Sequence, residues 1–258
     1  MKELFSPNAN PQRLVFMSMV AAQAFVLLLL WIFYPLQLFP SLGDVFRSLG
    51  SLIAEQGLIQ ELWASMTTAL QSIAIATVLA LLISYLTALP FFRPIAYAAT
   101  KMRYLTLTGL TFFMALMVSS GHEVKLSVLI FGATVYLVTG MTSVILTTTQ
   151  EEMDHARTLG MSEWRAFYEV VVLGKLDEML EVVRQNFAII WTMITLVETL
   201  YQSEGGIGLL LYKQNRYLHL DGVVAIQLVI LATGALQDYV FVLLRRVFFP
   251  YSWLGAAK

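Results

Sequence analysis

The sequence predicts an all-α fold, a polytopic bundle of about six membrane helices with both termini cytoplasmic. Three observations predict it. Hydrophobic residues make up 58% of the 258 residues and charged residues only 13%, against roughly a quarter charged in an ordinary soluble domain. Mean hydropathy is +0.73. Six apolar segments, near 14–36, 62–89, 104–121, 124–148, 184–202 and 221–244, approach the roughly 20 residues that cross a hydrocarbon core.

The elements follow in order. Residues 1–36 comprise an N-terminal segment and the first membrane helix, which is too long for a signal-peptide core and reads as retained. Residues 37–61 form an external loop, with a possible interfacial helix over 45–60 placing Val45, Leu49, Leu52 and Ile53 on one side. Residues 62–250 are the core, five membrane helices with a cytoplasmic loop at 149–183. The third span, 104–121, is short, and Ser119-Ser120-Gly121-His122 turns the chain tightly into the fourth. Orientation follows from the positive residues. Lys2, Arg13, Arg93, Lys101, Arg103, Arg157, Arg165, Lys175, Arg184, Arg245, Arg246 and Lys258 fall on one side. Only Arg47, Lys125, Lys213 and Arg216 fall on the other, and twelve against four sets the first side as cytoplasmic.

Composition also excludes. A net charge of −1 offers no basic field for nucleic acid, and without cysteine there is neither a disulfide nor a thiolate metal site. His122, His155 and His219 have no zinc-ligand spacing, so no metal is expected. No G-x-x-x-x-G-K-[ST] segment is present, so the chain has no phosphate-cradling loop of its own.

The 149–183 loop carries the most information. It reads as two short helices split by Gly160. Glu151, Glu152 and Asp154 sit near the start of the first, where acids favour the helix dipole. Gly160 permits the left-handed turn that ends a helix. Ser162 is the expected N-cap of the second, which places Trp164, Phe167, Tyr168, Val171 and Val172 at helical spacing. An amphipathic helix lying on the membrane surface would have the same periodicity.

The order of residues here resembles the cytoplasmic motif of membrane subunits in binding-protein-dependent ABC importers. That motif is E-A-A, three residues, G, nine residues, I-x-L-P. The chain has Asp154-His155-Ala156-Arg157-Thr158-Leu159-Gly160, nine residues, then Val170-Val171-Val172-Leu173. The similarity is to the nitrate/sulfonate/taurine branch, and it extends through Leu196-Val197-Glu198, Glu204-Gly205-Gly206-Ile207-Gly208 and Leu243-Leu244-Arg245-Arg246. Asp-His replaces Glu-Ala, Leu173 stands at the motif proline, and the proline-rich entry to the third helix is absent.

The resemblance implies a pore subunit, not an enzyme, in a bacterial inner (plasma) membrane. A second copy of the permease, most simply a homodimer, would complete the pore. A separate ABC ATPase dimer would hold ATP and Mg, leaving no cofactor on this chain. A periplasmic or lipid-anchored substrate-binding protein would deliver a sulfonate-, taurine- or nitrate-like anion. Asp154, His155, Ala156, Arg157 and Gly160 would couple to the ATPase, Arg157 through charge complementarity.

Other candidates come from polar residues in apolar runs. Trp191, Thr195, Glu198 and Gln202 share a helical face with Thr192 beside it, which makes Thr192, Thr195, Glu198 and Gln202 pore-lining candidates. Alternatively, Glu198 pairs within the bundle or reaches water. Asp238 is expected to pair with Arg245 or Arg246, or to be solvated, rather than to serve transport. Phe112, Phe113, Met114 and Met117 are expected to be packing residues rather than a gate. Glu204, Lys213 and Arg216 beside the glycine-rich turn are candidates for binding-protein contact. The rival reading is an ion-coupled secondary transporter using Glu198 as a proton site, although no inverted repeat is visible. A membrane enzyme would need a catalytic cluster, and Glu151, Asp154 and His155 have no recognised catalytic spacing.

Overall fold

The computed structural model describes residues 13–33 and 40–250, and every regular element among them is helical. The end of the first predicted span, the start of the 37–61 loop, Lys2 and Lys258 lie outside the described residues. The long helices are α1 (Arg13–Phe33), α3 (Leu58–Leu86), α6 (Gly121–Leu146), α9 (Leu176–Leu200) and α11 (Leu220–Phe248). These five are long and apolar enough to cross a membrane. The chain is a polytopic helical membrane bundle.

Shorter elements shape the two ends. Helix α2 (Leu42–Glu55) is capped by Ser41, whose hydroxyl accepts from the Asp44 amide. It buries Val45 and Leu52 while Ile53 stays exposed, and it packs against α11. Gly57, at φ +67, turns the chain directly into α3. The predicted 37–61 loop therefore ends four residues early, because a left-handed glycine joins the two helices without a linker.

α3 and α6 run parallel. Near one end Thr142 Oγ1 donates to Ser84 Oγ at 3.4 Å. At the other end Glu61 and Gly121 both lie against residues 203–205. The chain between them must recross the bundle, and it does so unconventionally. The third predicted span is only α5 (Leu107–Met117), 11 residues that rise about 16 Å, roughly half a hydrocarbon core. Leu105 and Thr106 are extended, which interrupts the helical ladder before Leu107. Leu107 meets α6 at Gly132, midway along that helix. The other half of the path is taken by α4 (Arg93–Lys101), flanked by 3-10 turns at Pro90–Phe92 and Met102–Tyr104.

The 147–175 connection holds α7 (Gln150–Thr158) and α8 (Glu163–Ala166), followed by a π-helical stretch, Phe167–Leu173. α9 begins at Leu176, not at 184, because its first two turns are polar and tied to α11. Arg245 pairs with Asp177 at 3.3 Å and with Glu181 at 3.1 Å. Asp238 pairs with Arg184, not with the expected Arg245 or Arg246. Helix-to-helix placement decides this, since Arg184 faces Asp238 across the groove between α9 and α11. The last short helix, α10 (Ile207–Arg216), sits between α9 and α11 at the end opposite α7.

The core uses small residues. Ala69, Ala76 and Ala80 of α3 are fully buried, letting α6 approach closely as small residues do in membrane bundles. α6 contributes Gly140, where a Cβ would fall 2.6 Å from Val182 Cγ1 of α9. α1 buries none of its 18-residue apolar window, while its Trp31 packs against the core and its indole donates to the Pro40 carbonyl at 3.2 Å. Phe112, Phe113 and Met117 of α5 are largely exposed and only Met114 packs inward. Within the single chain only Met114 of the four is packed, because α5 turns the other three away from the bundle. Gly140→Leu is expected to lower stability by about 1–3 kcal/mol through overpacking, read as a drop in the midpoint of thermal unfolding in detergent.

Candidate functional site

The motif residues fall on α7 at the bundle's polar end. The helix opens with a reciprocal cap. Thr149 Oγ1 accepts from the Glu152 amide at 3.3 Å, and Glu152 Oε2 accepts from the Thr149 amide at 2.8 Å. It closes at Gly160, φ +78. There the Gly160 amide donates to the Arg157 carbonyl at 2.9 Å and the Met161 amide to the Ala156 carbonyl at 3.3 Å. That pair of bonds is the Schellman geometry, which favours glycine. Ser162 occupies the N-cap position of α8, but its side chain makes no capping bond.

Asp154, His155 and Gly160 are exposed, and Ala156 is buried at 4%. A Cβ at Gly160 would meet nothing within 4 Å. Leu159 and Trp164 flank it at 64% and 65% exposure, so the turn presents a knob with apolar shoulders. Arg157 is already engaged within the chain. Its Nε and Nη2 donate to the two Glu163 oxygens at 2.8 and 2.9 Å, and Nη1 donates to Asp154. These bonds hold the Glu163 carboxyl below its ordinary range and push the Arg157 guanidinium further up. The clasp fixes α7 against α8 across the glycine turn.

A second site lies at the opposite end, where the Gly205-Gly206-Ile207-Gly208 turn is locked by buried polar groups. Glu198 is fully buried. Its Oε1 accepts from Ser65 Oγ at 2.7 Å and its Oε2 from the Gly208 amide at 2.8 Å. Ser65 Oγ also accepts from the Ile207 amide at 2.9 Å. Glu61 accepts from the Gly206 amide. Lys125, only 3% exposed, reaches the Glu204 and Gly205 carbonyls at 3.5 and 3.4 Å and stands 3.9 Å from Glu198. Donors and acceptors of one turn are thus answered by three helices. The glycines are required: a Cβ on Gly206, at φ +107, would fall 2.2 Å from the Glu198 carboxyl carbon, and one on Gly208 would fall 2.4 Å from the Thr195 carbonyl.

The predicted pore-lining four therefore do not share one exposed face. Thr192 and Gln202 are exposed, Thr195 is half-buried, and Glu198 points into the chain's own interior. Trp191 turns inward too, donating to Gln237. Lys213 and Arg216 are exposed one turn apart on α10, and Glu204 is exposed at the mouth of the locked turn. Sequence reasoning missed Glu61, Ser65 and Lys125. Lys125 carried a usable signal, a cation at the start of the apolar segment 124–148, yet charge counting alone places it among the outside cations.

No family profile and no curated protein matches the chain. Solved structures do match. One is a chain from the crystal structure of an amino acid ABC transporter with histidines, at 16% sequence identity and a TM-score of 0.59. The match covers 77% of this chain and 95% of that one. The two share a fold.

Glu198→Ala would leave the buried Gly208 amide without its acceptor and the buried Lys125 without its counter-charge. The expected loss is about 3–5 kcal/mol, the scale for breaking a buried charge pair, read by thermal unfolding. Gly206→Ala is expected to destabilise as well, because both its φ and its contact with Glu198 exclude a side chain.

Proposed function

We propose that this chain is the pore-forming half of an ATP-driven importer in a bacterial inner membrane, with both termini cytoplasmic. The observation that carries this reading is α7. It is a short, exposed helix ended by a protruding glycine turn, on a bundle whose fold matches a chain of an ABC transporter. Such a knob can seat in a groove on a separate ATPase, and the Arg157 clasp lets α7 and α8 move as one lever. The ATPase dimer would bind ATP and Mg, a second copy of this chain would complete the pore, and a periplasmic or lipid-anchored binding protein would dock near Glu204, Lys213 and Arg216. The substrate we propose is a sulfonate-, taurine- or nitrate-like anion, supported by the residue order over 150–210. The engagement of Glu198 by Ser65, Lys125 and Gly208 speaks against a proton site there.

Gly160 provides the test. Gly160→Asn should preserve the turn, since asparagine tolerates the left-handed conformation, and should retain most coupled transport. Gly160→Trp meets no atom of the chain within 4 Å but must take up the left-handed φ of +78, so it strains the turn that Gly160→Asn preserves and also blocks a partner groove. It should leave basal ATP hydrolysis in the copurified complex while uptake into vesicles falls about tenfold or more, on the scale of a lost contact worth 1.4 kcal/mol. Normal uptake by Gly160→Trp, or purification of an active transporter without an ATPase, would refute the proposal.

A further inference from the structure

The α7 end holds an open cavity of about 740 Å³ between α4 and the ends of α3 and α6, closed on one side by the start of α7 and by the π-helical stretch. Its composition is unusual in two ways. Three lining residues are cations, Arg93, Lys101 and Arg103, and none of the described lining residues is acidic. Much of the remaining wall is apolar, including Ala96, Leu146, Met153, Phe167 and Val171.

The cations are not answered by carboxylates among the described residues. Arg93 Nε donates to the Thr87 carbonyl at 3.2 Å. Lys101 Nζ sits 5.0 Å from the Tyr97 ring centre. Arg103 lies over the Tyr104 ring at 5.1 Å and bonds its hydroxyl at 3.1 Å. No acidic residue occurs anywhere from Leu62 to His122. Glu152 of the neighbouring α7 is committed to the helix cap. Phe91, Tyr97 and Tyr104 on the same segment are 81%, 66% and 69% exposed. Exposed aromatic rings interleaved with uncompensated cations mark a headgroup-level position in a bilayer.

A ligand that answers both the charge and the apolar wall carries an anionic head and a hydrocarbon tail. A small free anion would leave the wall unused and would have to compete with water in an open site. We propose that this cavity binds an anionic phospholipid, with its phosphate held by Arg93, Lys101 and Arg103 and an acyl chain against Leu146, Phe167 and Val171. Thr149, Gln150 and Met153 of α7 also line the cavity, so the bound lipid touches the docking helix. Binding stands independently of the importer reading; an influence of the lipid on coupling rests on that reading.

The full-length chain, extracted with any partner that accompanies it, is exchanged into mixed phosphatidylglycerol and phosphatidylcholine and examined by native mass spectrometry. Preferential retention of phosphatidylglycerol is expected. The triple variant R93Q/K101Q/R103Q should lose that preference by about tenfold, in keeping with electrostatic headgroup recognition. The charge-conserving R93K/K101R/R103K should keep it, as should R47Q/K213Q/R216Q at the opposite end. Leu146→Trp, which fills the apolar wall without changing charge, should also weaken retention. Equal retention of the two lipids, an unchanged preference in R93Q/K101Q/R103Q, unchanged binding in Leu146→Trp, or displacement of the lipid by millimolar inorganic phosphate would overturn the proposal.

Discussion

The buried carboxylate of Glu198 is the interaction on which the architecture depends. A charge inside an apolar bundle is tolerated only when its surroundings answer it. Here Ser65 of α3, Lys125 of α6 and the Gly208 amide of the following turn do so together. The same groups satisfy the backbone of a turn that would otherwise bury unpaired amides, which is costly. Three helices and one loop thus share a single polar node, and their register follows from it. The Thr142–Ser84 contact near the other end of α3 and α6 is weaker, at 3.4 Å.

The two ends of the bundle are built on different physics. At the locked end, polar groups are buried and glycines are pinned by atoms within 3 Å. At the α7 end the Arg157–Glu163–Asp154 clasp is exposed to solvent, where ion pairs contribute little to stability. Such pairs orient segments without anchoring them. A surface clasp suits a lever that must shift as a body, while a buried node suits a fulcrum that must not.

Much of this was legible in the sequence. Five spans, the helix break at Gly160 and its left-handed turn follow from hydropathy and glycine stereochemistry. What escaped was tertiary. The shortness of α5 arises from two extended residues, Leu105 and Thr106, which no hydropathy window detects. The partner of Asp238 is Arg184 rather than Arg245 because helices α9 and α11 meet there, a fact invisible in linear spacing. Glu198 was singled out, but its direction depended on Lys125 and Ser65, which lie 73 and 133 positions away in a chain read one window at a time.

The π-helical stretch between Phe167 and Leu173 makes chain length a mechanical variable. Its wider winding, closed by the Gly174 amide on the Glu169 carbonyl at 3.0 Å, sets the phase between the glycine knob and every residue of α9. Removing one residue there would rotate the knob by about 100° relative to α9, which the Glu198 node holds in register, while leaving every side chain chemically intact. The interval from Gly160 to α9 therefore works as a gauge block: its count of residues sets the phase, and Gly174, where a Cβ would fall 2.4 Å from the Val170 carbonyl, lets it close.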